Sequence, residues 1–193
     1  APGPGAAVTG TPGDGGTPFE AGLDPLSPNR NLAPVTARLD LLGRLTVGGC
    51  VLSDLARTYG TPLYVLDEAS LRAGCRAYRA ALERHYPGPS LPLYASKANS
   101  SLALTALVAA EGFGLDAVSH GELLTALEGG MPPERIVLHG NNKSRLELEL
   151  AVASGVTVVA DNWHDLEQLA TLMEGRQGQV RLLLRFKIGR AHV

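Results

Sequence analysis

The sequence predicts an α/β fold: the first five strands of a parallel (β/α)8 barrel, preceded by a short β segment. Three observations carry that expectation. From Leu91 to Phe186, short apolar runs alternate with helix-patterned stretches on a repeat of roughly 20–25 residues, which implies parallel strands joined by right-handed crossovers. The first strand-to-helix turn reads Ser96-Lys97-Ala98-Asn99 and lacks the glycine fingerprint of a dinucleotide-binding open sheet. Of the two architectures that fit, a doubly wound sheet and a closed barrel, this favours the barrel. A complete barrel takes about 250 residues, so a chain of 193 is expected to hold five of the eight strands.

Residues 1–32 are rich in Pro, Gly, Thr and Asp and poor in large apolar side chains. They cannot bury enough surface to offset their ordering entropy, so a disordered tail is expected there. Leu45-Thr46-Val47, Gly48-Gly49 and Cys50-Val51-Leu52 read as a hairpin. Ser53 is expected to cap a short helix that Gly60 stops. Pro62 to Leu66 reads as a buried strand. Asp67 caps the next helix, where Leu71, Cys75, Tyr78 and Leu82 recur at helical spacing until Pro87-Gly88-Pro89 ends it.

The regular part then runs strand Leu91–Ser96, helix Ser101–Glu111, strand Gly114–Val118 and a helix opening on Ser119-His120-Gly121-Glu122. That last run has the form of a capping box, in which Ser and Glu satisfy each other's free amides. Strand Arg135–Leu138 leads to a second such box, Ser144-Arg145-Leu146-Glu147, in a helix closed by Gly155. Strand Val156–Ala160, helix Trp163–Met173 capped by Asn162, and strand Val180–Phe186 complete the pattern.

A formal net charge of −2 offers no basic stripe for nucleic acid and no polybasic patch for a membrane, so neither is expected as a partner. No apolar run approaches the roughly 18 residues that span a bilayer. Cys50 and Cys75 have no metal-like spacing and read as reduced thiols of a cytoplasmic protein. No metal site is expected, because His120, His139 and His164 fall on separate loops or helices. Neither a Gly-x-Ser-x-Gly elbow nor a phosphate-binding Lys-Ser/Thr loop is present.

Barrel sites lie where the strands end at their C-termini. Those ends carry Lys97, then Asp116 with Ser119, His139 with Asn141 and Asn142, Asp161 with Asn162, and Arg185. Taken singly, Asp116 also reads as a polar strand end, and Ser119 and Glu122 as helix caps. Lys143 is expected at the surface and Trp163 in the core. Asn141 and Asn142 are expected in a tight turn, and His85, His120 and His164 in solvent. Lys97 stands apart on composition: the chain has 14 arginines and three lysines. Unlike Arg, a lysine amine can lose its proton and bond to a carbonyl carbon. A Lys beside an acid and an imidazole suits Schiff-base chemistry, with pyridoxal phosphate or with an aldolase substrate.

Tyr94-Ala95-Ser96-Lys97-Ala98-Asn99, Leu115-Asp116-Ala117-Val118-Ser119-His120-Gly121-Glu122-Leu123, Pro133-Glu134-Arg135-Ile136 and His139-Gly140-Asn141-Asn142-Lys143-Ser144 resemble diaminopimelate decarboxylase. That family belongs to the fold-type III pyridoxal-phosphate decarboxylases, which join an alanine-racemase-like barrel to a β domain. The resemblance runs from about Leu45 to Phe186 and includes Tyr59-Gly60-Thr61-Pro62-Leu63-Tyr64-Val65. The Lys97 motif is shared with ornithine and arginine decarboxylases; His139-Gly140-Asn141-Asn142-Lys143 is more particular to the diaminopimelate branch.

The resemblance implies that Lys97 carries pyridoxal 5'-phosphate as a Schiff base, with Asp116 beside its amine. His139 would line the cofactor pocket and Arg185 would reach polar atoms of the ring. It implies decarboxylation of meso-2,6-diaminopimelate to L-lysine, the last step of lysine synthesis, in a homodimer with shared active sites. The alternatives are an ornithine, arginine or carboxylated-polyamine decarboxylase of the same fold, or a non-catalytic pyridoxal-phosphate carrier. On this reading residues 33–61 belong with the β domain and 62–186 form a partial barrel. Cys75 is not the family's active-site cysteine, which lies further along. The chain has no initiator Met and is expected to be a fragment, inactive by itself. Its last seven residues, Lys187 to Val193, match the translation of a common sequencing adapter and are expected to be non-native.

Overall fold

The computed structural model describes residues 32–186 and the backbone of Thr17–Pro18. The expectations for the rest of the 1–32 tail and for residues 187–193 lie outside the described residues. The chain divides into two compact units, Ala1–Ala77 and Tyr78–Val193.

The first unit is built on an antiparallel sheet of β1 (Thr17–Pro18), β2 (Arg38–Leu39), β3 (Leu45–Val47) and β4 (Cys50–Val51), hydrogen-bonded in that order. Val47 pairs with Cys50, so Gly48-Gly49 is a two-residue hairpin loop. Both glycines take positive φ, +58° and +79°, the conformation that a tight hairpin with native twist demands. Helix α1 (Leu52–Tyr59) follows without a break, and its N-cap is Val51. Ser53, expected as the cap, lies inside the first turn, because β4 runs straight into the helix and leaves no room for a capping turn. Gly60 closes α1 at φ +82°.

Residues 62–66 form no strand, which corrects the expectation of a buried one there. All five are exposed, Tyr64 at 95%. An apolar run becomes a strand only where another backbone pairs with it, and none does so among the described residues. Asp67 caps α2 (Glu68–His85): its Oδ2 accepts the Ser70 N–H at 3.2 Å and the Ser70 hydroxyl at 2.6 Å. The recurring face of α2 is not a core face, for none of its residues is fully buried and Tyr78 is exposed.

The second unit holds the predicted α/β pattern. Strands β5 (Leu93–Ala95), β6 (Gly114–Ala117), β7 (Ile136–Leu138), β8 (Thr157–Ala160) and β9 (Leu182–Leu184) form one sheet in sequence order, parallel throughout. Between them run α3 (Leu102–Ala110), α4 (His120–Glu128), α5 (Arg145–Ser154) and α6 (Trp163–Met173). Leu115, Leu123, Ile136, Leu138, Leu148, Val156 and Val158 are sealed between sheet and helices. Each such side chain contributes roughly 1.5–3 kcal/mol through removal from water. The expected final strand, Val180–Phe186, is only Leu182–Leu184, and its three leucines are exposed at the sheet edge.

Helix starts follow the sequence signals. Ser144 and Glu147 make the complete capping box of α5, which Gly155 closes in the left-handed conformation. Asn162 caps α6 through the Asp165 N–H. At α4 only half of the box forms: Ser119 accepts the Glu122 N–H, while the Glu122 carboxylate turns to other partners. Trp163, expected in the core, is 81% exposed. It is the first residue of α6, and the buried face of that helix is Asp165, Leu169 and Leu172.

Candidate active site at the strand ends

The site follows from strand register. Neighbours paired across a parallel ladder project to the same side of the sheet, and so do residues two apart on one strand. Asp116 pairs with Val137, and Val137 with Thr157. His139 and Asp161 therefore stand on the same side as Asp116, two and four residues beyond these pairings. The His139 N–H extends the ladder to the Ala117 carbonyl at 2.7 Å, and the Arg185 N–H extends it to the Ala160 carbonyl at 3.0 Å. Lys97 enters from the 3-10 turn Ser96–Ala98 that follows β5. Every predicted site residue is thus delivered to one rim, each by a different β–α unit.

Two acid–base pairs line it. His139 Nε2 lies 3.7 Å from Asp116 Oδ1, too long for a direct hydrogen bond. Arg185 Nη1 lies 3.0 Å from Asp161 Oδ1. Both of these carboxylate oxygens are buried, and neither receives a hydrogen bond of good geometry. Asp161 at least has its ion pair. Asp116 Oδ1 has nothing within bonding distance, an arrangement that costs free energy unless a donor arrives. Lys97 is exposed and makes no side-chain hydrogen bond or ion pair among the described residues.

Burial is the largest influence on Asp116 and raises its carboxyl above the ordinary aspartate value. The charge of His139 pulls it down, then that of Lys97, while Glu122 adds to the rise. The folded state thus holds the proton more readily than the unfolded chain does. Stability from this group is present at low pH and declines as pH climbs from the ordinary carboxylate range through the raised folded value. Asp116→Asn is expected to remove that slope and so to stabilise the protein modestly at pH 7, since the group it neutralises is only part-buried. Urea titrations between pH 4 and 7 measure it; an unchanged slope would refute the assignment.

Sequence reasoning missed two further groups. Ser96 is buried, its hydroxyl 2.9 Å from the Asp116 carbonyl and in short contact with Glu122 Oε2, which also accepts the Val118 N–H at 2.8 Å. Glu122 therefore ties the ends of β5 and β6 together, more than capping requires. Lys143 is buried rather than at the surface. Its Nζ donates to Asp165 Oδ2 at 2.9 Å and to the Gly140 carbonyl at 2.5 Å. The signal was there: Asp165, Leu169 and Leu172 share one helical face, and an acid on an apolar face calls for a buried cation. His85, His120 and His164 are exposed, and Asn141 and Asn142 lie in a bend. Among the described residues, no group of three or more His, Cys, Asp or Glu could hold a metal, and no helix is long and apolar enough to cross a membrane.

Residues 68–193 match the family described as pyridoxal-dependent decarboxylase, pyridoxal binding domain. The diaminopimelate decarboxylase of Synechocystis is 43% identical over 171 residues, covering 84% of this chain and 36% of that protein. The crystal structure of the M. jannaschii diaminopimelate decarboxylase, in co-complex with L-lysine, superposes with a TM-score of 0.71 at 29% identity. That match covers 77% of this chain and 35% of the other. The Helicobacter pylori enzyme, also complexed with L-lysine, gives 0.62 at 30% identity, covering 69% and 33%. The chain spans about a third of the length of these relatives.

Proposed function

This chain belongs to the pyridoxal-dependent decarboxylase family, through its pyridoxal-binding domain, and is diaminopimelate-decarboxylase-like within it; we propose on that premise that the whole protein converts meso-2,6-diaminopimelate to L-lysine and carbon dioxide. The observation that carries the proposal is Lys97, a solvent-reachable amine on the rim that also holds Asp116 with its buried, donorless Oδ1.

The residues present fit pyridoxal phosphate. A lysine amine not engaged by a neighbouring carboxylate is what a carbonyl carbon needs as its partner. The donorless oxygen of Asp116 is an acceptor waiting for an N–H or O–H. Lys97 and Asp116 would hold the cofactor, with His139 lining the pocket and Arg185 toward its polar atoms. When bound, the cofactor supplies a carbonyl for amines and a ring that accepts the electron pair left as a carboxylate departs.

The chain's own groups do the rest. Lys97 Nζ can give and take a proton at the reacting carbon, which Arg cannot. Asp116, protonated more readily than an ordinary carboxylate, sets the charge beside that amine. Asp161 fixes the Arg185 guanidinium and leaves further N–H donors for an anionic group. One proton is taken up at the carbon that carried the carboxylate, so the products are carbon dioxide and the amine.

The antiparallel sheet of β1–β4 supports reading residues 33–61 with a β domain and 62–186 as a partial pyridoxal-binding barrel. Leu102, Leu146 and Trp163, exposed at the starts of α3, α5 and α6, support a subunit partner covering that end in a homodimer with shared sites.

The test supplies the whole protein with pyridoxal phosphate and meso-diaminopimelate, and follows carbon dioxide and L-lysine. One of each per substrate consumed is the expected result. Turnover of L-ornithine or L-arginine in its place moves the protein to that branch, and no turnover of any amino acid, with cofactor bound, makes it a carrier.

A further inference from the structure

Lys143 and Asp165 form an ion pair that water does not reach: both side chains are 1% exposed, and Nζ lies 2.9 Å from Oδ2. Neither can touch a ligand at the rim, yet their remaining partners lie in the two loops that can. Lys143 Nζ also donates to the carbonyl of Gly140, the residue after His139. Asp165 Oδ2 also accepts the Asp161 N–H at 3.0 Å. The Asp165 N–H donates to Asn162 Oδ1 at 2.9 Å, and Asn162 Nδ2 to the Asn141 carbonyl at 3.3 Å. Together these bonds bridge the loop after β7 to the loop after β8, with the ion pair at the centre. Gly140 takes φ +107°, where other residues are strained, and a Cβ on it would stand 3.4 Å from the Val118 carbonyl.

A buried ion pair is a poor way to stabilise a core, since desolvation offsets most of the attraction and apolar side chains of like volume often serve as well. Asp165 occupies a face it shares with Leu169 and Leu172, where another leucine would pack. What the pair supplies, and leucine could not, is direction. An ammonium selects the Gly140 carbonyl and a carboxylate selects the Asp161 N–H, so each loop has one seat.

We propose that Lys143 and Asp165 are positioning residues of the rim: they hold the His139 and Asp161 loops at a fixed separation, and so keep the Asp116–His139 and Asp161–Arg185 pairs at constant spacing. The assignment deepens the pyridoxal reading of the site and rests on it for one of its three readouts.

The experiment compares the full chain with K143M/D165L, in which apolar side chains of similar volume replace the pair. It measures the thermal melt, the NMR resonances of the His139 ring and the Asp161 amide, and borohydride-fixed labelling of Lys97 at sub-saturating pyridoxal phosphate. The expected result is a cooperative melt with the His139 and Asp161 resonances displaced, while those of Leu115 and Ile136 stay in place. Labelling should fall roughly ten- to a hundredfold, the scale of a small misplacement at a reacting centre. A folded variant with unmoved His139 and Asp161 resonances overturns the proposal. If the double variant does not fold, Asp165→Asn, which keeps the shape and removes the charge, takes its place under the same criteria. If neither folds, the pair belongs to the fold and the proposal also fails. Absence of label on the unaltered chain overturns the pyridoxal reading instead, and the positioning claim is then judged on the resonances.

Discussion

Lys97→Ala is expected to abolish the borohydride-stable pyridoxyl label altogether, with no residual labelling on Lys143. The reasoning is one of access. Reduction fixes the cofactor to whichever amine has captured its carbonyl, and the amine must be reachable and not tied up by a neighbour. Lys97 is exposed on the rim, whereas Lys143 is buried and donates to both Asp165 and Gly140. Lys97→Arg should fail equally, because guanidinium does not deprotonate in proteins. Peptide mapping after borotritide reduction reads the result directly. A label that persists in Lys97→Ala, on a peptide containing Lys143, would refute the assignment of the site.

The largest loss of stability is expected at Gly114, where β6 begins. A Cβ built there stands 2.3 Å from the Arg135 carbonyl oxygen and 2.6 Å from Leu93 Cδ2. The leucine can rotate away, but the carbonyl is backbone and cannot move without its strand. Gly114→Ala should therefore cost about 3 kcal/mol, at the upper end of overpacking effects. It should also carry Asp116 with the displaced strand. Leu93→Ala in the same chain relieves only one of the two contacts and should restore little. Denaturant titration of the unaltered chain and the two variants tests this, and full rescue by Leu93→Ala would show that the side chain, not the backbone, sets the limit.

The parallel α/β unit was legible because its signals are local. Asn162, Ser144 and Gly155 mark helix ends by chemistry that operates within one turn, and each acts there as the sequence suggests. The rim was legible because a strand end can be located from the run that precedes it. What escaped depends on partners distant in the chain. Nothing in Pro62 to Leu66 says whether another strand lies alongside, and none does among the described residues. Glu122 reads as half of a capping box, but its carboxylate goes to Ser96, 26 residues earlier. Lys143 reads as a surface lysine because it sits in a loop and its acid lies 22 residues later, in α6. Trp163 shows the limit of residue type alone: a large aromatic is usually buried, but its place in the first turn of α6 turns it outward.

The common side shared by Asp116, His139, Asp161 and Arg185 bears on how such a chain can change length over evolutionary time. One residue inserted within β6, β7 or β8 would reverse the parity of everything after it on that strand, sending a reactive group among the helices and an aliphatic one to the rim. Composition would be nearly unaltered and the rim dismantled. Added length is therefore expected to be tolerated at the other end of the strands, in turns such as Gly129-Gly130 and Gly175-Arg176-Gln177-Gly178, and not within the strands themselves.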